Sequence, residues 1–598
     1  MLIFISMKER LTFYTNCSTA FTLQLQKIKR ALLRLGTMRL IAFLAAVAAF
    51  YFYYKNGNLI FLIAAIFSLT AFIFFIRKHA DKLQEKALTE KLLFINQNEI
   101  TLLNGGENAF DAGVAFVRNE SYWGDLDIFG PKSLYHLLNR TTTVNGSHAL
   151  AGLLKKPFTD REIILSAQQA IMELKDQTEQ RQLFTANGLL FKYNNTDPEE
   201  VTTWLTEKEK LVANPWYKWA RLLLPVLGVS ALSYWIVTGN YTFFAAMFIL
   251  NISLVGSMAK YTGHQHALIG KKQALLNQYT TLFKTFLGFR INQSPVLSKL
   301  QLTAAAAAGE IKKLSVVSNF FDQRLNMLTG LLLNGVVLYD LQCLFYLEKW
   351  KIKNKANFTE WTKALSEIEC LNTLSTFACN NPSFCLPEVM TGELFIEARE
   401  LSHPLILEKE RVYNDFSIGK KEKLQLITGS NMSGKTTFLR SVGVNLLLAQ
   451  CGAPVCAAAM SFTPMQILSA IRVSDSLQEH TSYFMAELKK LQYIIEMLKT
   501  GQSSLVLIDE ILRGTNSDDK SHGSAEFIKK ILPFNALTLF ATHDLTLGEL
   551  EKKESPAINN YCFESNIQNG ELRFDYQLRK GIAQNKNASY LMQKMGII

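Results

Sequence analysis

The chain has 598 residues, of which 48% are hydrophobic and 19% charged, with a formal net charge of +12. That length exceeds a single hydrophobic core and predicts several domains. The composition is too apolar for an ordinary soluble protein and too polar for a pure membrane protein, and the basic balance suits nucleic acid, an anionic membrane surface, or the Lys and Arg that flank membrane spans.

Residues 1–37 form a basic segment, with Lys27, Lys29, Arg30 and Arg34 standing ahead of the apolar run "LIAFLAAVAAFYFYY" at 40–54. A second run, "LIFLIAAIFSLTAFIFFI" at 59–76, follows after the turn residues "KNGN". A span needs ~20 apolar residues, so the pair predicts a first transmembrane hairpin over 38–76. The long basic lead and the immediate second span argue against a signal peptide. Residues 77–117 begin with a charged amphipathic stretch and read as a helical linker. Residues 118–213 place apolar side chains at helical spacing over 133–175, broken near Pro157, as the first part of an all-α core. Runs at 222–237 and 241–258, separated by "TGN", predict a second hairpin over 214–260.

Lys and Arg crowd the bases of both hairpins (Arg39, Arg77, Lys78, Lys82, Lys218, Arg221, Lys260), whereas the tips carry Lys55 alone. The positive-inside rule then predicts four transmembrane helices in an inner or plasma membrane, with both termini and the remainder of the chain cytoplasmic. Residues 261–378 read as the second part of the helical core, including the helix-favouring run "LTAAAAAGEIKKL". The apolar stretch 328–350 contains Asn334, Asp340 and Gln342, which are costly in lipid, and so predicts one soluble core helix.

From 379 to 598 the pattern changes to alternating strands and helices. "LQLIT" at 424–428 is an apolar strand, followed by Gly429-Ser430-Asn431-Met432-Ser433-Gly434-Lys435-Thr436-Thr437 and an apolar helix. This is G-x-x-x-x-G-K-[ST] in the strand–loop–helix setting that the motif requires. Its glycines let backbone N–H groups close around phosphate oxygens at a positive helix terminus. Lys435 would reach the terminal phosphates of ATP and Thr436 would ligate Mg²⁺. "SLVLIDE" at 504–510 ends in Asp509, a second Mg²⁺ ligand, and Glu510, placed to polarise an attacking water. "LTLFATHD" at 537–544 ends in His543, which can bond the γ-phosphate or that water. The three strand tips are expected side by side in one parallel sheet. Tyr413 is a candidate for stacking on adenine. Eight scattered cysteines include no C-x-x-C pair, which predicts reduced, mostly buried thiols rather than a zinc site.

The Walker-type loop, the Asp-Glu pair and the strand-end His resemble the ABC ATPase superfamily. Within it, "TGSNMSGKTTFLR", "DEILRGTNSDD" at 509–519 and "SDSLQEHTSYFMAEL" at 474–488 resemble the MutS family, as do the flanking "ARELSHPLI" at 398–406 and the segment 574–597. Upstream, 126–160 is similar to the start of that family's core and lever domain. The resemblance implies an ABC-type α/β P-loop ATPase domain preceded by an all-α core/lever domain, here joined to two transmembrane helical hairpins. It implies a homodimer through the ATPase domains, with Ser482 capping the γ-phosphate of the partner subunit's nucleotide, and DNA binding. No Phe-x-Glu mismatch-reading domain fits before residue 118; Phe358-Thr-Glu360 and Phe395-Ile-Glu397 match that pattern by chance. Against that resemblance, the expectation is a chain without the clamp region and with a shortened C-terminal dimerisation module.

The leading expectation is therefore a membrane-anchored MutS-like ATPase related to mismatch repair or other DNA-structure processing. The alternative is an ABC-type transport or remodelling ATPase that binds no DNA. Against it stand the missing Leu-Ser-Gly-Gly-Gln signature and spans with no charge to line a path. A non-catalytic ATP switch is the third reading, opposed by the full set of catalytic residues.

Overall fold

A computed structural model describes residues 7–118, 121–191, 203–270, 273–430, 432–472, 483–512, 516–568 and 571–584. A mostly helical N-terminal region precedes a mixed α/β domain.

Two long antiparallel helices, Met7–Asn56 and Leu59–Leu103, form the first hairpin. The turn is built by Gly57, whose φ of 66° suits a residue without Cβ, and by Asn58, whose side chain accepts from the Ile60 amide. The apolar runs occupy only the hairpin's tip half; the basic segment from Met7 and the linker as far as Leu103 continue the same helices, and the expected helical linker ends there. Ile41, Phe50, Ile63 and Phe67 are all exposed, and such a continuous apolar surface is far larger than a water-facing protein carries.

The second hairpin pairs Pro215–Thr238 with Thr242–Ser257, turned by Gly239 at φ 75°. Its second helix bends by 60° into the next one, Ala259–Gly270. Three helices among the described residues are long and apolar enough to cross a membrane unaided, and counting each of two bent pairs as a span gives up to five. The stretch 328–350 is not one core helix. It breaks at Leu338 (φ 53°) with a 78° bend. Its first half, in the helix Met327–Val337, packs on the second hairpin; its second half opens the buried helix Tyr339–Asn380. Asn334 accounts for the break's polarity, because its Oδ1 accepts from the Asp340 amide at 2.8 Å.

The helical body packs Val144–Lys155, Arg161–Lys175, Thr178–Leu189, Gln273–Phe286 and Pro295–Asp322 around Tyr339–Asn380. Side-chain caps start these helices: Thr143, Asp160 and Ser294 each accept from backbone amides of the first turn. The alanine run lets helices approach closely, with Ala304, Ala307 and Ala308 buried. Phe358 lies in this core. At the far end of Tyr339–Asn380, Tyr14 donates to Asn380 Oδ1 (2.7 Å), Asn380 donates to Glu99 Oε2 (2.7 Å), and Glu99 pairs with Arg140 at 2.6 Å. All four residues are buried, so the charged pair meets the requirement that a buried ion be fully hydrogen-bonded.

The α/β domain holds two sheets. Strands β1 (Glu388–Val389), β2 (Phe395–Leu401), β3 (Asn414–Gly419) and β5 (Ala459–Phe462) make one, in the order β1-β5-β2-β3. The other runs β10-β9-β4-β8-β7-β6, with β4 at Leu424–Gly429, β6 at Gln466–Ala470, β7 at Ser504–Asp509, β8 at Ala536–Thr542, β9 at Ile558–Gln568 and β10 at Glu571–Lys580. Strands β4, β7 and β8 are buried throughout, as expected of parallel strands covered on both faces. All of this sheet is parallel except β10. All eight cysteines are free, six of them buried.

Candidate active site

The register of the large sheet sets the site. Thr428 of β4 lies opposite Thr542 of β8, and Ala541 of β8 opposite Asp509 of β7. Gly429, Asp509, Glu510 and His543 therefore come together at the carboxyl end of three adjacent strands, where open α/β sheets bind ligands.

The loop after β4 leads into the helix Lys435–Gln450. Met432 crosses its crown at φ 68°, exposed. Gly434 takes φ 104°, and a Cβ there would sit 3.0 Å from the Tyr576 ring. Lys435 is buried, and its ammonium donates to the Gly429 and Ser430 carbonyls at 2.7 and 2.8 Å. The Ser430 and Ser433 hydroxyls are buried with no hydrogen-bond partner. Orphaned donors of this kind carry a desolvation cost unless a ligand satisfies them. They fit an anion such as a phosphate group seated in the loop. Thr436 Oγ1 donates to Asp509 Oδ2, so the two oxygens that would hold Mg²⁺ are in direct contact. Thr437 lies on the exposed side of the same turn and lines the cavity.

Beside them, Glu510 Oε1 lies 2.7 Å from His543 Nδ1, and Lys520 Nζ lies 3.3 Å from the opposite ring nitrogen. Glu510 is held in the left-handed region at φ 50°, with its amide bonded to the Ala541 carbonyl at 3.0 Å. Strained backbone of this sort persists where the surroundings fix it.

The cavity bounded by the loop, Asp509 and Glu510 has a volume of about 630 Å³, within the range of small-ligand sites. Its apolar wall comes from residues that sequence reasoning did not select: Ile406, Val412, Phe438, Phe563 and Tyr576, with His403 beside them. Burial, reinforced by the Arg440 and Arg411 charges, pushes the His403 pKa down to about 4. Its Nδ1 accepts from the Leu405 amide (3.2 Å). Tyr413, expected to stack on a base, does not line the cavity, although both neighbours do. Asn414 instead ties the wall to β10, donating to the Tyr576 carbonyl (3.0 Å) and accepting from the Leu578 amide (2.7 Å). Asn431 and Ser482 fall outside the described residues.

A second unanticipated group joins this site to the helical body. Asp125 is fully buried and accepts from Ser469 Oγ (2.6 Å), the Arg472 amide (2.9 Å) and Lys490 Nζ (2.7 Å). Asp127 bonds Arg440, on the helix that begins at Lys435, at 2.7 Å, and also bonds Arg472. Between them Leu126 packs so near Gly443 that a Cβ there would lie 2.9 Å from it.

A model of MutS domain V matches residues 425–596. The chain is 33% identical over 238 residues to MutS protein homolog 4 of Homo sapiens, covering 38% of this chain and 25% of that one. It is 36% identical over 217 residues to DNA mismatch repair protein MutS of Finegoldia magna, covering 35% and 25% respectively. The α/β domain is that of the MutS family. The chain spans about a quarter of the length of the curated relatives it matches. The MutS domain V match takes in the loop, both acidic residues, His543 and Tyr576, and begins downstream of Asp125, Asp127 and both apolar hairpins.

Proposed function

We propose that this MutS-family chain is a membrane-anchored ATPase that binds and hydrolyses ATP with Mg²⁺ in a dimeric composite site and binds DNA. The observation that carries the ATPase reading is the contact of Thr436 with Asp509 directly beside the Glu510–His543 pair. Lys435 exchanges its two carbonyl partners for phosphate oxygens, and the orphaned Ser430 and Ser433 hydroxyls donate to the same anion. Thr436 and Asp509 hold Mg²⁺, which supplies charge neutralisation on the phosphates. Glu510 orients the attacking water and accepts its proton, with His543 fixing the carboxylate's position. Ser482 of a second copy completes the site, and the core/lever helices carry the resulting motion away from it. Asp125 and Asp127 are the contacts through which that motion leaves.

DNA as the partner rests on the relatives' names and on the net charge of +12. Two apolar hairpins favour the second reading, an ABC-type transport or remodelling ATPase that acts on the membrane without DNA. ATP turnover of the detergent-purified chain, with and without homoduplex, mismatched and branched DNA at several salt concentrations, separates the two. Salt is varied because phosphate contacts alone give salt-sensitive binding. Stimulation by one DNA form supports the first reading. Turnover that ignores every DNA supports the second, and no Mg²⁺-dependent turnover sinks both.

A further inference from the structure

The helix Met327–Val337 is 11 residues long, about 16 Å, and so cannot cross a hydrocarbon layer of about 30 Å. It does not try to. Arg324, just before it, pairs with Asp340, just after it, at 3.2 Å. The segment between them therefore leaves and returns at one level, and it lies at 78° to the helix Tyr339–Asn380 that follows. No charged residue occurs from 325 to 337.

One side of this helix is locked onto the second hairpin. Asn251, fully buried, donates from Nδ2 to the Gly335 carbonyl at 2.8 Å. A Cβ on Gly228 would lie 2.4 Å from the Val336 carbonyl, and one on Gly335 would strike the Phe248 ring, so the glycines are what allow this approach. The other side carries Leu325, Leu328, Leu331 and Leu332, exposed by 73, 73, 45 and 59%. Their spacing puts the last three on one face. Above the helix an apolar cavity of about 740 Å³ opens between Leu232, Trp235, Phe244, Leu332 and Val336.

We infer that Met327–Val337 is a re-entrant helix packed along the tip half of the second hairpin, with its leucine face buried in the hydrocarbon of the bilayer. The inference rests on the membrane-anchored reading above. Its partner is lipid acyl chains rather than protein, because the leucine face continues the exposed apolar surface of the hairpin it packs on, including Leu222, Leu223 and Val226. An uncharged apolar helix of this length suits a re-entrant position in the hydrocarbon rather than the headgroup layer. This helix joins the one that runs to the α/β domain at Leu338, where Asn334 and Arg324 both bond Asp340.

The test uses the full chain in phosphatidylcholine vesicles carrying a diazirine on one acyl chain, with photolysis and peptide mapping of lipid adducts. Adducts on 325–332 at yields comparable to those on 222–237 are expected, with only background at Leu302, an exposed leucine of the helical body. Labelling of the hairpins with none at 325–332 overturns the inference while leaving the membrane reading intact. Equal labelling at Leu302 also counts against it. No adduct on either hairpin overturns the membrane reading itself.

Discussion

Lys435 and Glu510 separate binding from turnover. Lys435→Ala is expected to abolish binding of a fluorescent ATP analogue. Glu510→Gln keeps the side chain's shape and is expected to bind ATP but slow hydrolysis by about 10²-fold or more, the usual worth of a general base. Unimpaired turnover would remove Glu510 from that role. His403 makes a different prediction. Its folded pKa of about 4 lies below the ordinary 6.5, so the unfolded chain binds the proton more tightly. Its share of stability is complete above pH 6.5 and falls as pH drops toward 4, by up to about 3 kcal/mol. Thermal midpoints at pH 7 and pH 5 should differ less in His403→Gln than in the parent chain. That Lys435, Thr436, Asp509, Glu510 and His543 come together was legible in the sequence because the motif fixes spacing and its strand-tip context at once. The wall of the cavity was not. Tyr576 arrives from more than a hundred residues downstream, in a segment whose resemblance placed it in the domain but gave no sign that it walls the cavity. Tyr413 was selected as an aromatic residue near the site. Extended backbone alternates its side chains, so Val412 and Asn414 face the cavity and the residue between them does not.

Elements show the same division. The hairpin turns were readable from short Gly- and Asn-containing breaks between apolar runs. The stretch 328–350 was misread because its polar residues suggested one core helix, whereas Asn334 and Asp340 mark the bend that divides it. The joining role of the Asp125–Leu126–Asp127 segment was not legible either, since its partners come from three separate elements of the α/β domain. Asp125→Ala leaves the nearly buried Lys490 without its carboxylate and is expected to cost about 3–5 kcal/mol. Asp127 is more exposed, and Asp127→Ala should cost no more than about 1 kcal/mol. Thermal unfolding of both variants in detergent checks the contrast; equal effects would remove Asp125 from its place as the main joint.

For the whole molecule, the proposed topology puts the α/β domain and both hairpin bases on one side of the bilayer. A protease added outside intact cells should leave that domain uncut, and cleavage within it would overturn the arrangement. The helix Leu59–Leu103 continues about 40 Å past the end of its apolar run at residue 76. Its lower end meets the start of the first helix and the end of Tyr339–Asn380 at the Tyr14–Asn380–Glu99–Arg140 cluster. Struts rising from two separate apolar hairpins are thus pinned at one knot. A braced frame of this kind resists sideways swing in a way that a single tether does not. In the proposed topology this holds the α/β domain at a set height over the membrane, and whatever it acts on comes to that height.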